Sequence, residues 1–212
     1  MSKYRKQSIE EEITNAILHG IGLGLAIAAL TILIIFATMY GDIWYLVGFT
    51  IYGITLITLY LSSTLYHSFP QGKWKNVLHV VDHVSIYLLI AGTYTPVTLT
   101  ALRGPWGWSI FGMVWGAAIL GIILKVFWFN RFKYFSLALY AIMGWMIVIA
   151  IRPLLENLNS TSLAFMLAGG LAYTIGIVFY VWRSLKFGHA IWHLLVLTGS
   201  ICHFFTVFYL LP

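Results

Sequence analysis

Long apolar stretches dominate the chain. They run roughly over residues 15–39, 43–66, 78–101, 107–129, 134–152, 161–183 and 188–211. A helix needs about 20 apolar residues to cross the hydrocarbon of a bilayer, and each run reaches or approaches that length. The breaks carry turn-forming and polar residues: Tyr40-Gly41-Asp42, Phe69 to Lys73 around Pro70 and Gly72, Arg103-Gly104-Pro105, Asn130-Arg131, Glu156 to Ser160, and Lys186-Phe187-Gly188. Ser8 with Glu11 three residues on fits a capping box, which predicts a short helix ahead of the first span. The pattern predicts an all-α integral membrane protein, a bundle of seven transmembrane helices forming one domain over 1–212.

Composition strengthens this reading. Of 212 residues, 61% are hydrophobic and only 8% charged, against about 25% charged in a soluble domain. Mean hydropathy is +0.91. The net charge of +6 does not call for nucleic acid, because the charges sit in short clusters between apolar runs, as membrane topology requires. The single cysteine, Cys202, lies in an apolar segment, which excludes an internal disulfide framework and a cysteine-rich metal site. Lys3, Arg5 and Lys6 resemble the basic start of a signal peptide. Glu10, Glu11 and Glu12 interrupt it, however, and the apolar run that follows is too long, so the first helix is read as uncleaved.

With the N-terminus in the cytoplasm, the cytoplasmic segments hold Lys3, Arg5, Lys6, Lys73, Lys75, Lys125, Arg131, Lys133, Arg183 and Lys186, and the outer ones hold Arg103 and Arg152. This asymmetry follows the positive-inside rule, and seven spans then place the C-terminus outside. Trp44, Trp106 and Trp108 on the outer side, with Trp74 and Trp128 on the inner, suit interfacial belts.

Ionisable residues inside spans are costly, so they are candidates for function. Glu12 and His19 open the first span, His67 ends the second, Asp82 and His83 lie early in the third, and His189 and His193 open the seventh. Four helices thus aim polar groups at one leaflet. His189 and His193 are spaced i and i+4, so they share a helix face and can ligate one metal ion. A catalytic zinc takes three protein ligands and leaves a position open. His67 is a candidate third ligand, Ser63 lies one turn before it on the same face, and Asp82 is a candidate to hold or deprotonate water. His79 and His83 form a second pair of the same spacing, and spacing alone does not separate the two pairs. His203 lies roughly 21 Å along the last helix from His189, too far to join them. Glu12 reads as an interfacial carboxylate near a helix N-terminus or as a partner of His19 or of the site. Gly20, Gly22 and Gly24 read as helix-packing residues, Tyr87 and Tyr94 as packed aromatics, and Pro96 as a kink in the third span.

These residues also carry a resemblance. Glu12 to His19-Gly20, Ser62-Ser63-Thr64-Leu65-Tyr66-His67, the run from Asp82 through Thr95-Pro96, and His189-Ala-Ile-Trp-His193 with His203 together resemble the hemolysin III family, the bacterial branch of the progestin and adiponectin receptor group. The resemblance covers essentially the whole chain, with its motifs in order. It implies a seven-helix bundle with zinc (Zn2+) near the cytoplasmic face, held by His67, His189 and His193, with Asp82 on the water and Ser63 as the serine of the S-x-x-x-H motif. It therefore favours His189/His193 over His79/His83. The receptors tend to carry tyrosine where this chain has His83, and their long N-terminal domain is missing here.

Three functions compete. The first is a zinc-dependent hydrolase of lipid amides or esters, with Asp82 as base, Ser63 steadying the oxyanion, and a membrane lipid as substrate. The second is a sensor or regulator in which zinc only links the second and seventh helices. The third, a pore as the family name implies, finds little support, because no polar stripe suits a wide channel.

Overall fold

A computed structural model describes residues 7–129 and 131–212, with the side chain of Lys133 outside that description. Lys3, Arg5, Lys6 and Asn130, part of the predicted basic clusters and breaks, lie outside the described residues. All regular elements among the described residues are helical: α1 (Ile9–Tyr40), α2 (Ile43–Ser68), α3 (Lys73–Leu99), α4 (Pro105–Trp128), α5 (Lys133–Trp145), a 3-10 segment (Met146–Ala150), α6 (Ile151–Asn157), α7 (Ser160–Val181) and α8 (Gly188–Phe208). Seven helical stretches are long and apolar enough to cross a membrane, the fifth being Tyr134–Asn157, across α5, the 3-10 segment and α6. Lipid offers no hydrogen bonds to a backbone, and a helix satisfies its own.

The ends of these helices follow from local chemistry. The Ser8–Glu11 capping box forms, with Glu11 N–H donating to Ser8 Oγ at 3.3 Å and Ser8 N–H to Glu11 Oε2 at 2.9 Å. It does not start a separate short helix, however. No glycine or proline interrupts residues 9–19, so α1 runs unbroken for 32 residues, about 48 Å at 1.5 Å per residue. Asp42 caps α2 through the N–H groups of Trp44 and Tyr45. Asn159 caps α7 through Ser162 N–H, and its amide donates to the Tyr209 carbonyl beyond α8 at 2.7 Å. Gly104, at φ 138°, takes a backbone conformation closed to other residues and delivers Pro105 into the first turn of α4.

The fifth span runs to Asn157, past the predicted end at 152. Pro153 reads as a stop in the sequence, but it sits in the first turn of α6, where helix N–H groups have no intrahelical partner in any case. The break that creates this new first turn is held from α3. Tyr94 OH contacts the carbonyls of Met143 and Gly144 at 2.7 and 2.9 Å and accepts from Ile147 N–H at 3.0 Å.

Neighbouring helices pack in chain order from α1 to α4, α7 packs on α8, and α8 returns to α1, while α5 is held more loosely. The bundle buries polar groups within an otherwise apolar core and exposes apolar side chains outside. Asn15, His19, Ser63, Ser85, Thr95 and His193 are buried, while many isoleucines and leucines are exposed toward the surrounding lipid. Glycines allow close approach where a ring or branched side chain needs the space, Gly92 against Thr55 and Gly121 against Tyr87. Of the three glycines in α1, only Gly22 does this, against Tyr60. Steps of two residues turn the helix by about 200°, so Gly24 faces open space. Pro96 lies inside α3 with its backbone against Gly48.

Tyr94→Phe should lower the thermal unfolding midpoint of detergent-purified protein by several degrees, through a loss of about 1–2 kcal/mol, and leave metal content unchanged. An unchanged midpoint would show that the 3-10 break does not depend on this hydroxyl.

Candidate metal centre

Two helix ends build the site. The last turn of α2 delivers His67, and the first two turns of α8 deliver His189 and His193. One nitrogen from each of these three imidazoles lies within 4.8 Å of the others, the convergent set of potential metal ligands found among the described residues. His67 Nε2 and His193 Nε2 are 3.1 Å apart. A tetrahedral zinc with Zn–N of about 2.0–2.1 Å spaces its nitrogens by roughly 3.4 Å, so the three side chains fit such an ion with small adjustments.

The protonation pattern supports the same reading. His67 Nδ1 is 2.8 Å from Glu12 Oε2, so its proton goes to the carboxylate and its Nε2 presents a lone pair toward His193. With that tautomer, the 3.1 Å approach of His193 Nε2 is bridged either by a proton on His193 or by a cation. The carboxylate behind the imidazole is the usual means of fixing the tautomer and orientation of a metal ligand. Glu12 is in turn held by Lys75, whose ammonium reaches Glu12 Oε2 at 3.1 Å and the Phe69 carbonyl at 3.1 Å. Of the two partners predicted for Glu12, His19 or the site, it is the site, through His67, that Glu12 meets. Glu12 reaches across to α2 and α3, and nothing in the spacing within α1 could have signalled this.

His19 sits against the site in another way. Its ring centroid is 3.7 Å from that of His193 and 5.1 Å from that of Tyr60, and neither of its buried nitrogens has a hydrogen-bond partner. His193 Nδ1 is likewise buried and unpartnered. Unsatisfied buried polar atoms at one spot call for an ion or a water.

Ser63 and Asp82 lie beside the triad. Ser63 is fully buried in α2, and its hydroxyl has no formed hydrogen bond, although it lies against the Asp82 carboxyl. The register of α3 next to Asp82 is set by Ser85, which donates to the Asp82 carbonyl at 2.6 Å and accepts from Ser62 at 3.0 Å. Asp82, His189, His79 and His83 share a cavity of about 260 Å³.

The rival pair is occupied otherwise. His83 Nδ1 donates to the His79 carbonyl at 2.9 Å, and Tyr180 OH is 3.5 Å from its other nitrogen. His79 stacks on Tyr66 with centroids 4.8 Å apart. His203 stacks on Tyr173 and faces an apolar cleft, away from the triad.

Two residues read only as topology or capping signals prove structural to the site. Glu11 Oε1 accepts the N–H of Phe187 at 2.7 Å, just before α8. Phe187 is the non-glycine residue at positive φ, 59°, and this bond fixes the turn that launches His189. Lys125 is buried and lines the shared cavity. An acid cluster and an isolated lysine at the edge of an apolar run were the available signals, and both have ordinary topological explanations.

Glu12→Ala should weaken zinc binding about 10–100-fold in chelator competition, and Glu12→Gln less so. Equal affinity in all three proteins would show that the carboxylate does not orient His67.

Comparison with known proteins agrees with this architecture. The sequence profile described as "Haemolysin-III related" matches residues 7–204. The chain is 51% identical over 207 residues to Hemolysin-3 of Bacillus cereus, covering 97% of this chain and 94% of that one. It is 47% identical over 202 residues to the Hemolysin-3 homolog of Bacillus subtilis (strain 168), covering 95% of each. A more distant likeness, 30% over 172 residues, links it to the human monocyte to macrophage differentiation factor, covering 78% of this chain and 71% of that one. Seven apolar spans and a match along nearly its full length make this chain a multi-pass bacterial membrane protein of the haemolysin-III-related family.

Proposed function

We propose that the protein is a zinc-dependent intramembrane hydrolase acting on an amide or ester bond of a membrane lipid. The observation that carries this is the convergence of His67, His189 and His193, three imidazoles with no fourth protein ligand in their group, of which His189 lines a cavity that also holds Asp82. Three imidazoles favour zinc among the common biological cations, and an open fourth position is the mark of a catalytic site. A zinc ion bound there supplies Lewis-acid chemistry, acidifying water and polarising a carbonyl.

The chain's own residues supply the rest. Asp82 accepts the proton of the attacking water, and Ser63, whose hydroxyl is uncommitted, donates to the oxygen that gains charge as the carbonyl is attacked. An apolar cleft of about 140 Å³ lies between α3, α5, α7 and α8, and Tyr180 borders both this cleft and the polar cavity. A lipid chain in the cleft would bring its linkage toward Asp82.

The same triad supports a second reading, since it ties α2 to α8 across 126 residues of sequence. In that reading zinc is a clamp in a sensor without turnover.

Orientation follows from charge. Lys73, Lys75, Lys125, Arg131, Arg183 and Lys186 cluster at the site's end of the bundle, and Arg103 and Arg152 at the other, which favours a cytoplasmic site with the C-terminus outside.

Purified wild type should hold one zinc per chain, and His67→Ala and His189→Ala should hold none. Asp82→Asn should keep zinc and lose about 10²–10⁴ of lipid hydrolysis. Full turnover by metal-free protein would sink the hydrolase reading. Zinc-dependent stability with no substrate consumed across a panel of lipid amides and esters would leave the clamp. For orientation, Lys73→Cys in a Cys202→Ser background should resist an impermeant thiol reagent in intact cells, and labelling there would reverse the topology.

A further inference from the structure

Lys125 is a buried charge that the proposed reaction does not use. It lies in the last turn of α4, is 3% exposed, and lines the cavity that holds Asp82 and His189. No hydrogen bond or ion pair reaches its ammonium among the described residues; it stands over the face of Phe129, 4.6 Å from the ring centroid, with His79 and His83 in the same cavity. Lys75, buried to a similar degree at 5%, has both Glu12 and the Phe69 carbonyl. An ammonium within a membrane protein is costly without a partner. Snorkelling to the interface is the usual remedy, and it is how Lys186, with its side chain 63% exposed, is accommodated. Lys125 turns inward instead.

The other charges of the cavity do not neutralise it. Glu11 accepts from the N–H groups of Ser8 and Phe187. Asp82 lies against Ser63 and is 4.0 Å from His83. Arg183 adds a second cation to the lining. The cavity, about 260 Å³, has room for about eight waters at some 30 Å³ each, enough for a headgroup. Through Tyr180 it adjoins the apolar cleft.

We propose that Lys125 binds the phosphate of an anionic lipid headgroup seated in this cavity, with the acyl chain in the cleft. The three donors of an ammonium suit the several oxygens of a phosphate, and the cavity is larger than a lone carboxylate needs. This rests on the lipid-hydrolase reading only for the role of the ligand, since it narrows the substrate to phosphate-bearing amphiphiles. The binding itself stands without turnover.

The test uses full-length, zinc-loaded protein in neutral detergent, with native mass spectrometry and thermal unfolding as readouts. The probes are dioleoyl phosphatidic acid, dioleoylglycerol, oleate and inorganic phosphate. Wild type should bind phosphatidic acid at least about tenfold more tightly than dioleoylglycerol, the effect of one charge-assisted hydrogen bond. Lys125→Met should abolish that preference, and Lys125→Arg should restore most of it, with zinc content unchanged in both as the check on folding. The same preference in Lys125→Met, or none in wild type, would overturn the proposal. Oleate matching phosphatidic acid would overturn the choice of phosphate, and inorganic phosphate binding equally well would overturn the lipid. Zinc-dependent hydrolysis of neutral lipids unaffected by Lys125→Met would also overturn it and leave the hydrolase standing, whereas lysine-dependent binding without hydrolysis would do the reverse.

Discussion

A polar group buried in a membrane protein has to find its partner within its own chain, and Glu12 is where this constraint is met for three helices at once. One carboxylate oxygen receives both the imidazole of His67 and the ammonium of Lys75, which joins α1, α2 and α3 at one point. Its neighbour Glu11 joins the same turn of α1 to the backbone ahead of α8. The two acids begin a helix and also bring the histidines of α2 and α8 to a common place. Removing Glu12 would strand the buried ammonium of Lys75, which costs more than the pair itself contributes.

The interior divides its labour along the membrane normal. Near the start of α1 the groups are ionisable and clustered. Further along, tyrosines and serines take over, with Tyr60 donating to Ser200 at 2.7 Å and Tyr173 meeting the same hydroxyl at 3.0 Å. Neutral hydroxyl pairs can be buried at modest cost, whereas imidazoles and carboxylates need a metal, an ion pair or water nearby. The cavity beside Asp82 can supply that water, and so the reactive groups collect there.

The apolar runs are long relative to the bilayer, so the seven spans could be read from the sequence, most ends to within a few residues, although α1 and α3 begin five or six residues ahead of their apolar runs. The extension of the fifth span could not, because it depends on a hydroxyl from α3, and a proline at 153 argues locally for a stop. The site was less legible. Spacing places His189 and His193 on one face, but it does the same for His79 and His83. Only the approach of α2 to α8 separates the pairs, and helix periodicity holds no information about such approach. The resemblance supplied it. The partners of Glu12 and the inward turn of Lys125 were hidden for the same reason: each is a contact between helices, and the sequence pattern of a charged residue near a membrane boundary reads as topology.

The order in which the ligands occur along the chain has a consequence for how the protein is made. Glu12, His67 and Lys75 belong to the first three helices and can associate as soon as these leave the translocon. His189 and His193 arrive with the last helix, over a hundred residues later. Throughout that interval the incomplete bundle has one of the three convergent imidazoles, so an ion held by all three could enter only after α8 has joined the bundle. An ion held by His67, His189 and His193 together would therefore report that the last helix has reached the second.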